Sequence, residues 1–237
     1  MQVTRAVGLI SIAASLLAGC GGGGSDAPPP AAIAPATTNV FAAYAAFVRQ
    51  PHMYSLSGST STGANLTATL SVTQSSQVTS NGITYDRSLV TASIYSGGVL
   101  QGTGVTTSWL NVGSPNWVTS FQSADGSCIV RTGGSALPTS AALNQTGPYL
   151  TGARYAGCNP GNLPMTFWLS TGAVTQTWSY SLINGIAFVC INSSDRGFVG
   201  TSTESICAEV IDANGMLGTR LRVTTMNLNG VTTTLSN

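Results

Sequence analysis

The stretch NLTATLSVTQ, Asn65–Gln74, alternates apolar residues with residues that carry a hydroxyl or an amide. In an extended chain one face carries Leu66, Ala68, Leu70 and Val72, and the other carries Thr67, Thr69, Ser71 and Thr73. A period of two is typical of an antiparallel strand with one face toward a core and the other toward water. The stretch therefore predicts a β-strand that is buried on one side.

The segment VTQTWSYSL, Val174–Leu182, repeats this pattern. One of its faces carries Val174, Gln176, Trp178, Tyr180 and Leu182. Turn signals separate the strand-like runs, and they are Asn81-Gly82, Gly97-Gly98, Asn184-Gly185, Asn214-Gly215 and Asn229-Gly230. Asn-Gly pairs tolerate the positive φ angles that two-residue hairpins need. Roughly ten to twelve short strands with frequent turns predict an all-β protein, either an antiparallel β-barrel or a β-sandwich.

A faint internal repeat links two parts of this region. Residues 92–113 and residues 208–230 both have the order strand, glycine turn, strand, glycine turn. Two similar meanders that close face to face would give one barrel or sandwich with approximate two-fold symmetry. The alternative is chance similarity, because turn-rich β sequences resemble one another easily.

One helix is predicted ahead of the strands, over residues 38–50. Thr38 or Asn39 is suited to cap it, and Pro51 ends it. Its apolar stripe, at three- and four-residue spacing, consists of Phe41, Tyr44 and Phe47 or Val48. We expect the helix to pack on the β domain, and a docking helix for a partner is the alternative.

The composition is unusual for a folded domain. Charged residues make up 6% of the 237 residues, hydrophobic residues 43%, and the eight cationic side chains are all arginines. With a net charge of +1 and no basic patch, the chain is unsuited to bind nucleic acid. Strand faces that carry hydroxyls rather than charges toward the solvent are typical of an exported β-rich protein.

The amino-terminal residues predict export. An uncharged apolar stretch of thirteen residues, Ala6–Ala18, follows Arg5. As a helix it would rise about 20 Å, too short for a hydrocarbon core of about 30 Å. It is therefore interpreted as the apolar region of a signal peptide.

The four residues Leu17-Ala18-Gly19-Cys20 resemble the lipobox of bacterial lipoproteins. The resemblance covers about the first 30 residues. It implies that residues 1–19 are a signal peptide and that Cys20 becomes the lipid-modified first residue of the mature protein; the alternative is ordinary cleavage that leaves a free thiol. More than one acyl chain is needed for firm attachment, and lipoprotein processing supplies it.

The resemblance also implies a location. Gly21 stands where an aspartate retains the better-studied Gram-negative lipoproteins at the inner membrane. We therefore expect the protein at the outer membrane, with the membrane as its partner through the lipid. Residues 20–37 mix flexible glycine with stiff proline and are interpreted as a tether, followed by a single β-rich domain over residues 38–237.

Four cysteines remain after Cys20, and an even number in an exported chain favours disulfides. Cys190 and Cys207 lie in strand-like runs separated by a short polar connection. We therefore prefer the pairs Cys190–Cys207 and Cys128–Cys158. A zinc site is the rival interpretation, but the chain has no C-x-x-C pair and a single histidine.

The sequence offers little catalytic chemistry. A serine nucleophile normally needs a histidine, and His52 is interpreted as a surface or turn residue. Glu204 and Glu209, or Glu209 and Asp212, are candidate carboxyl pairs, but surface acids explain them better. Asn192–Arg196 is interpreted as a turn in which Asp195 caps its own backbone. We therefore predict no catalytic residues, no cofactor and no metal.

Aromatic residues offer a non-enzymatic possibility, a pocket lining or a stack for sugar rings. The candidates are Trp109, Trp117, Trp168, Trp178, Tyr95, Tyr149 and Tyr155. Trp178 is expected in the core and Trp117, near a turn, is the best exposed candidate, although core or rim packing is favoured for all of them.

The leading hypothesis is a lipid-anchored, non-enzymatic envelope protein with an envelope protein or glycan as its partner. The alternatives are a carrier of a small apolar or glycan ligand and a hydrolase of envelope polymer.

Overall fold

A computed structural model describes residues 34–80, 82–122, 125–159, 169–197 and 200–237. The proposed signal peptide, Cys20 and nearly all of the tether lie outside these ranges, as does Trp168. One helix, α1, spans Val40–Arg49. The strands are β1 (Thr37–Thr38), β2 (His52–Thr60), β3 (Asn65–Ser80), β4 (Ile83–Ser96), β5 (Val99–Asn111), β6 (Trp117–Gln122), β7 (Ser127–Gly134), β8 (Ala141–Ala142), β9 (Thr146–Ala156), β10 (Leu169–Ile183), β11 (Ile186–Gly197), β12 (Gly200–Val210), β13 (Leu217–Met226) and β14 (Thr232–Ser236).

Twelve of the strands form a closed antiparallel barrel, which confirms the predicted all-β fold and selects the barrel over the sandwich. Each strand pairs with the next along the chain, except that β7 pairs with β9. The barrel closes where β14 pairs with β2, from Thr233 opposite Thr60 to Ser236 opposite Ser57. The two short strands β1 and β8 pair outside the barrel.

The alternation in β3 decides which side chains face inward. Leu66, Ala68, Leu70 and Val72 are all buried and belong to the main core, as the sequence predicts. The main core also takes Trp178 and Tyr180 from β10, again as predicted. The hydroxyl-bearing residues between them face outward, so serine and threonine cover much of the outer surface.

The two candidate repeats occupy the hairpins β4–β5 and β12–β13. The turns of these two hairpins lie at opposite ends of the barrel.

The helix lies against the inner side of the barrel at one end, which we call the helix end. Its buried residues Val40, Ala43, Phe47 and Val48 pack into the main core. Asn39 caps it by accepting a hydrogen bond from the Ala42 amide at 2.9 Å. The predicted start at residue 38 is therefore two residues early, because Thr38 pairs with Ala141 in the short sheet.

Arg49 fastens the last turn of the helix to the barrel. Its guanidinium forms a salt bridge with Asp86 of β4 at 2.6 Å. It also donates to the carbonyl oxygens of Asn111 at 3.0 Å and Ser114 at 2.6 Å, in the connection from β5 to β6. One side chain thus ties the helix to two neighbouring hairpins.

The disulfides join Cys128 to Cys158 and Cys190 to Cys207, the pairing that we prefer from the sequence. Cys190 and Cys207 are direct cross-strand partners in β11 and β12, with Cα atoms 4.0 Å apart. Their sulfurs lie on the outer face beside Phe188, apart from the main core. Both bonds therefore reinforce the wall of the barrel from outside.

We predict that Leu221→Ala lowers the free energy of unfolding by about 2–5 kcal/mol, because it removes a fully buried side chain from the barrel interior. Leu100 is 60% exposed, so Leu100→Ala is a matched control that should change stability by less than about 0.5 kcal/mol. Urea unfolding with the disulfides intact measures both. Equal effects would contradict the assignment of the barrel interior.

Candidate functional site

The inner wall of the barrel changes from apolar to polar between two adjacent rows of side chains. The apolar row nearer the helix end consists of the cross-strand neighbours Trp178, Ile191, Ile206, Val223 and Leu235. Two residues further along the strands lies a row that we call the polar belt, made of Gln176, Ser193, Glu204, Thr225, Thr233 and Thr60. Because residues two apart share a face, both rows point into the barrel.

Glu204 is the charged member of the polar belt. Water reaches it, since it belongs to the exposed residues, yet burial among the surrounding protein raises the pKa of its carboxyl. We call the interior region that the polar belt faces the chamber.

Tyr44 of the helix lies within range of the Glu204 charge. Burial, and then the charge of Glu204, raise the pKa of the Tyr44 hydroxyl above its ordinary value. The Tyr44 ring meets the Tyr149 ring edge to face, with centroids 5.6 Å apart. Tyr149 donates its hydroxyl to the Pro115 carbonyl oxygen at 3.1 Å, so this ring is held in place. Of the two rings, Tyr44 is the one that the Glu204 charge reaches, and Tyr149 is fully buried in the main core.

A second charged group lies further from the helix end. Arg154 of β9 pairs with Asp195 of β11 and, at 2.9 Å, with Asp125 in the turn before β7. Burial acts to raise the pKa of Asp125, but hydrogen bonds from Ser127 and the charge of Arg154 outweigh it, and the pKa is lowered. The interpretation of Asn192–Arg196 as a turn is wrong, because these residues continue β11 and Asp195 faces the barrel interior.

Glu204 differs from every other acidic residue in the described ranges. Asp86 pairs with Arg49, and Asp125 and Asp195 pair with Arg154. Glu209 accepts the backbone N–H groups of Thr219 and Arg220, and Asp212 accepts those of Asn214 and Met216. Among the described residues, none donates a hydrogen bond or lends a salt bridge to the Glu204 carboxyl.

The structure separates the carboxyl pairs considered from the sequence. Glu204 shares its parity in β12 with Ile206 and points inward, whereas Glu209 faces outward, so the two carboxyls lie on opposite faces of the barrel wall. Glu204 is exposed to solvent, as expected for a solvated acid. The inward direction of Glu204 is already indicated in TESICAEV, where it shares its parity with Ile206 and Ala208. We missed it because a carboxylate on a core-facing parity is uncommon unless it is paired.

The other predicted residues lie as follows. His52 begins β2, half-buried, and its ring stacks between Phe47 and Tyr54. Trp178 is buried in the main core, as predicted, and Trp109 is buried in a small cluster with Tyr85 and Cys128. None of these residues belongs to the polar belt. The placement of the Trp117 side chain and of Trp168 falls outside what the structure describes.

A concavity of about 300 Å³ lies across β10–β13. It is lined by Thr175, Thr177, Asn192, Ser193, Ser194, Thr203, Glu204, Ser205 and Thr224. Asn192 and Ser205 already bond to each other at 2.7 Å. The concavity therefore presents hydroxyls, an amide and the Glu204 carboxyl, and its lining includes two members of the polar belt, Ser193 and Glu204.

Within the described ranges, no group of three or more His, Cys, Asp and Glu side chains is placed to hold a metal ion. No helix of that part of the chain has the length and apolar character to cross a membrane. The chain matches no protein-family model, no curated protein and no solved structure.

We predict that Glu204→Gln becomes more stable relative to the natural protein as the pH rises. The raised pKa means that the folded protein resists ionising Glu204, so its stability falls as the pH rises from the unfolded value of about 4.3 through the folded value. Glutamine removes this penalty. Urea midpoints at pH 4 and pH 7 measure it, and a difference that does not change with pH would contradict the burial of this carboxyl.

Glu209→Gln serves as the comparison on the outer face of the same strand. Its carboxylate accepts two backbone hydrogen bonds, at 2.9 and 3.0 Å, so weakening them should destabilise the protein at pH 7. The two glutamine variants should therefore shift stability in opposite directions at neutral pH.

Proposed function

We propose that the protein is a lipid-anchored component of the bacterial outer membrane that acts by binding, and that its barrel takes a small hydroxylated ligand such as a glycan. Acyl groups on Cys20 would hold it to the membrane. The observation that carries the ligand proposal is the polar belt with its unpaired carboxyl. An envelope protein as the partner is the other form of the binding hypothesis.

The entry of the chain into the barrel supports an anchored arrangement. The Pro35 carbonyl oxygen accepts a hydrogen bond from the Tyr180 hydroxyl, and the Ala36 oxygen accepts one from the Leu143 amide at 3.0 Å. Both contacts lie at the helix end. A tether that leaves the barrel at the helix end would turn the helix end toward the membrane. The opposite end of the barrel would then point away from the membrane.

The outer surface supports anchoring by lipid rather than by the barrel itself. Transmembrane barrels carry an outward apolar band flanked by aromatic girdles. Here the outward positions of β2 and β3 are filled by Ser55, Ser57, Thr67, Thr69 and Ser71. Placing these hydroxyls in hydrocarbon without partners would be costly.

The chamber favours a polar ligand over an apolar one. On the helix side, Val40, Ala43, Phe47 and Val48 already fill the apolar part of the interior. The belt beyond it offers hydroxyls, an amide and a carboxyl. A ligand rich in hydroxyls would meet these groups with hydrogen bonds, and an apolar ligand would leave them unsatisfied.

A second candidate is hydrolysis of an envelope polymer. The structure places Asp195 and Glu204 on the same interior face, where they are diagonal neighbours across β11 and β12. Diagonal neighbours in a sheet have centres about 7–8 Å apart, a separation compatible with a pair of glycosidase carboxyls. Glu204, with its raised pKa, would be the acid of such a pair.

We predict that Cys20→Ser releases the protein from membranes of a Gram-negative host, because the acylated thiol is lost. Mass measurement of the membrane-bound natural protein should show a start at Cys20 with added acyl groups. Gly21→Asp is the control for location: it should keep the lipid but move the protein to the inner-membrane fraction. An unmodified thiol at Cys20 in membrane-bound protein would contradict the anchor.

We predict that a ligand copurifies with the protein and is lost from Thr225→Val, which removes a hydroxyl from the polar belt. Thr224→Val is the matched control, because Thr224 is the adjacent residue in β13 and its hydroxyl faces outward toward Thr234. Native mass spectrometry measures the bound ligand. A ligand retained equally by both variants would contradict the chamber as the site. If the protein instead releases products from envelope polymers, and if that release requires both Glu204 and Asp195, the hydrolase is favoured.

A further inference from the structure

We propose that one side of the helix end docks on the headgroup region of a lipid membrane. The docking surface is an apolar strip on the outer wall, in the hairpins β10–β11 and β12–β13, formed by Ile183, Ile186, Phe188, Ile211 and Met216. This inference rests on the proposed function, because it says which surface of the anchored barrel meets the membrane.

The part of the strip on β10 and β11 is already an apolar cluster. Ile183 pairs with Ile186 across the turn between the two strands. Both are half-buried and pack with Phe188 and the Cys190–Cys207 disulfide, outside the main core. The cluster therefore lies on the outer wall, close to the helix end.

The turn from β12 to β13 extends this cluster along the rim of the barrel. Phe188 pairs with Glu209 of β12, and continuing that register by two residues places Ile186 level with Ile211. The Ile211 amide donates to the Met216 carbonyl oxygen at 3.0 Å, so both residues stand at the base of the same turn. Ile211 is 47% exposed and Met216 is 59% exposed. Exposed apolar side chains grouped beside an apolar cluster are typical of a surface that meets a partner or a membrane.

The entry of the chain into the barrel selects the membrane as the occupant of the strip. The Asn39 amide donates to the Ala213 carbonyl oxygen at 3.0 Å, in the turn that carries Ile211 and Met216. Residues 20–38 lead from the proposed acylated cysteine to this contact, and at full extension they span at most about 65 Å. The exposed part of the strip thus lies in the turn that the chain meets as it arrives from the lipid.

Arginines beside the strip suit the phosphates of lipid headgroups. Arg222 pairs with Cys207, so it stands on the outer face beside the disulfide, and Arg220, nearer the rim, is exposed. Neither forms a salt bridge within the described part of the chain. The two nearby carboxyls, Glu209 and Asp212, accept backbone N–H groups instead. A guanidinium presents a planar fork of donors that matches a phosphate group.

The opposite end of the barrel offers a matched comparison on the same strand. Met216 directly precedes β13, and Leu228, which is 52% exposed, lies in the turn that follows β13. The ten residues of β13 rise about 33 Å, or about 25 Å along the axis of a barrel whose strands tilt by about 40°. A membrane that contacts Met216 at the helix end therefore leaves Leu228 in water.

The experiment places a fluorescent label at each end of β13 in the lipidated protein. Met216→Cys and Leu228→Cys each supply a free thiol, because acylation occupies Cys20 and the other four cysteines form disulfides. The labelled proteins are reconstituted in vesicles of phosphatidylethanolamine and phosphatidylglycerol, with and without nitroxide groups on the acyl chains near the headgroup. We expect the nitroxides to quench the label at position 216 about threefold more than the label at position 228, because interfacial apolar residues enter the headgroup boundary by about 5–10 Å.

A second comparison tests the arginines. Arg220→Gln combined with Arg222→Gln removes both cations beside the strip, and Arg196→Gln removes an exposed arginine at the opposite end of the barrel. The double variant should weaken the quenching at position 216, because it removes the attraction of two guanidinium groups to anionic headgroups. Arg196→Gln should leave the quenching unchanged. Equal quenching in the two variants would overturn the role of the arginines in docking.

The outcomes separate this inference from the proposed function. If the natural protein sediments with the vesicles and takes up no label, Cys20 is acylated and the anchor stands. Equal quenching at positions 216 and 228 would then overturn the docking surface alone. If, in that case, the emission of the label at position 216 also shifts as the protein concentration rises, a second copy of the chain covers the strip in place of the lipid. A natural protein that stays in solution and takes up label at Cys20 would overturn both the anchor and the docking surface.

Discussion

The width of a twelve-stranded barrel is the constraint on which the rest of the structure depends. Strands about 4.8 Å apart and tilted by about 40° close at a radius of roughly 12 Å, whereas eight strands already leave just enough room for side chains. Side chains from the wall alone cannot meet in the middle of the larger barrel. A helix with a diameter of about 10–12 Å is a suitable filler, and α1 takes that place at one end.

The scarcity of charge gives each ion pair a defined structural task. With 6% charged residues, the chain does not cover its surface with lysine and glutamate but with serine and threonine. Its ion pairs in the described ranges join separate elements instead. Arg49 fastens the helix to β4, and Arg154 links β9 with β11 and with the turn before β7. Arg49 thus holds the helix on the barrel wall, and Arg154 links β9 to β11 across the intervening strand β10.

The site follows from the same geometry. Where the helix fills the interior, apolar residues pack and no room for a ligand remains. Beyond the apolar row, from Trp178 to Leu235, the next inward residues of β10–β14 and β2 form the polar belt. Polar groups that water reaches stay available for exchange with a ligand. Glu204 is tolerated there because water still reaches it.

The sequence by itself determined the all-β class with one helix and the inward faces of β3 and β10, because a period of two is a local property of neighbouring residues such as Leu66 to Val72. It also led to the cysteine pairing, since Cys190 and Cys207 lie in successive strands. Only the tertiary structure decided that the sheet closes with twelve strands, that the helix enters the barrel and that Asp195 meets Arg154. These depend on contacts between residues far apart in the chain. That the Glu204 carboxyl has no hydrogen-bond or salt-bridge partner among the described residues is likewise decided by the tertiary structure. Its neighbours on other strands are fixed only when the barrel closes.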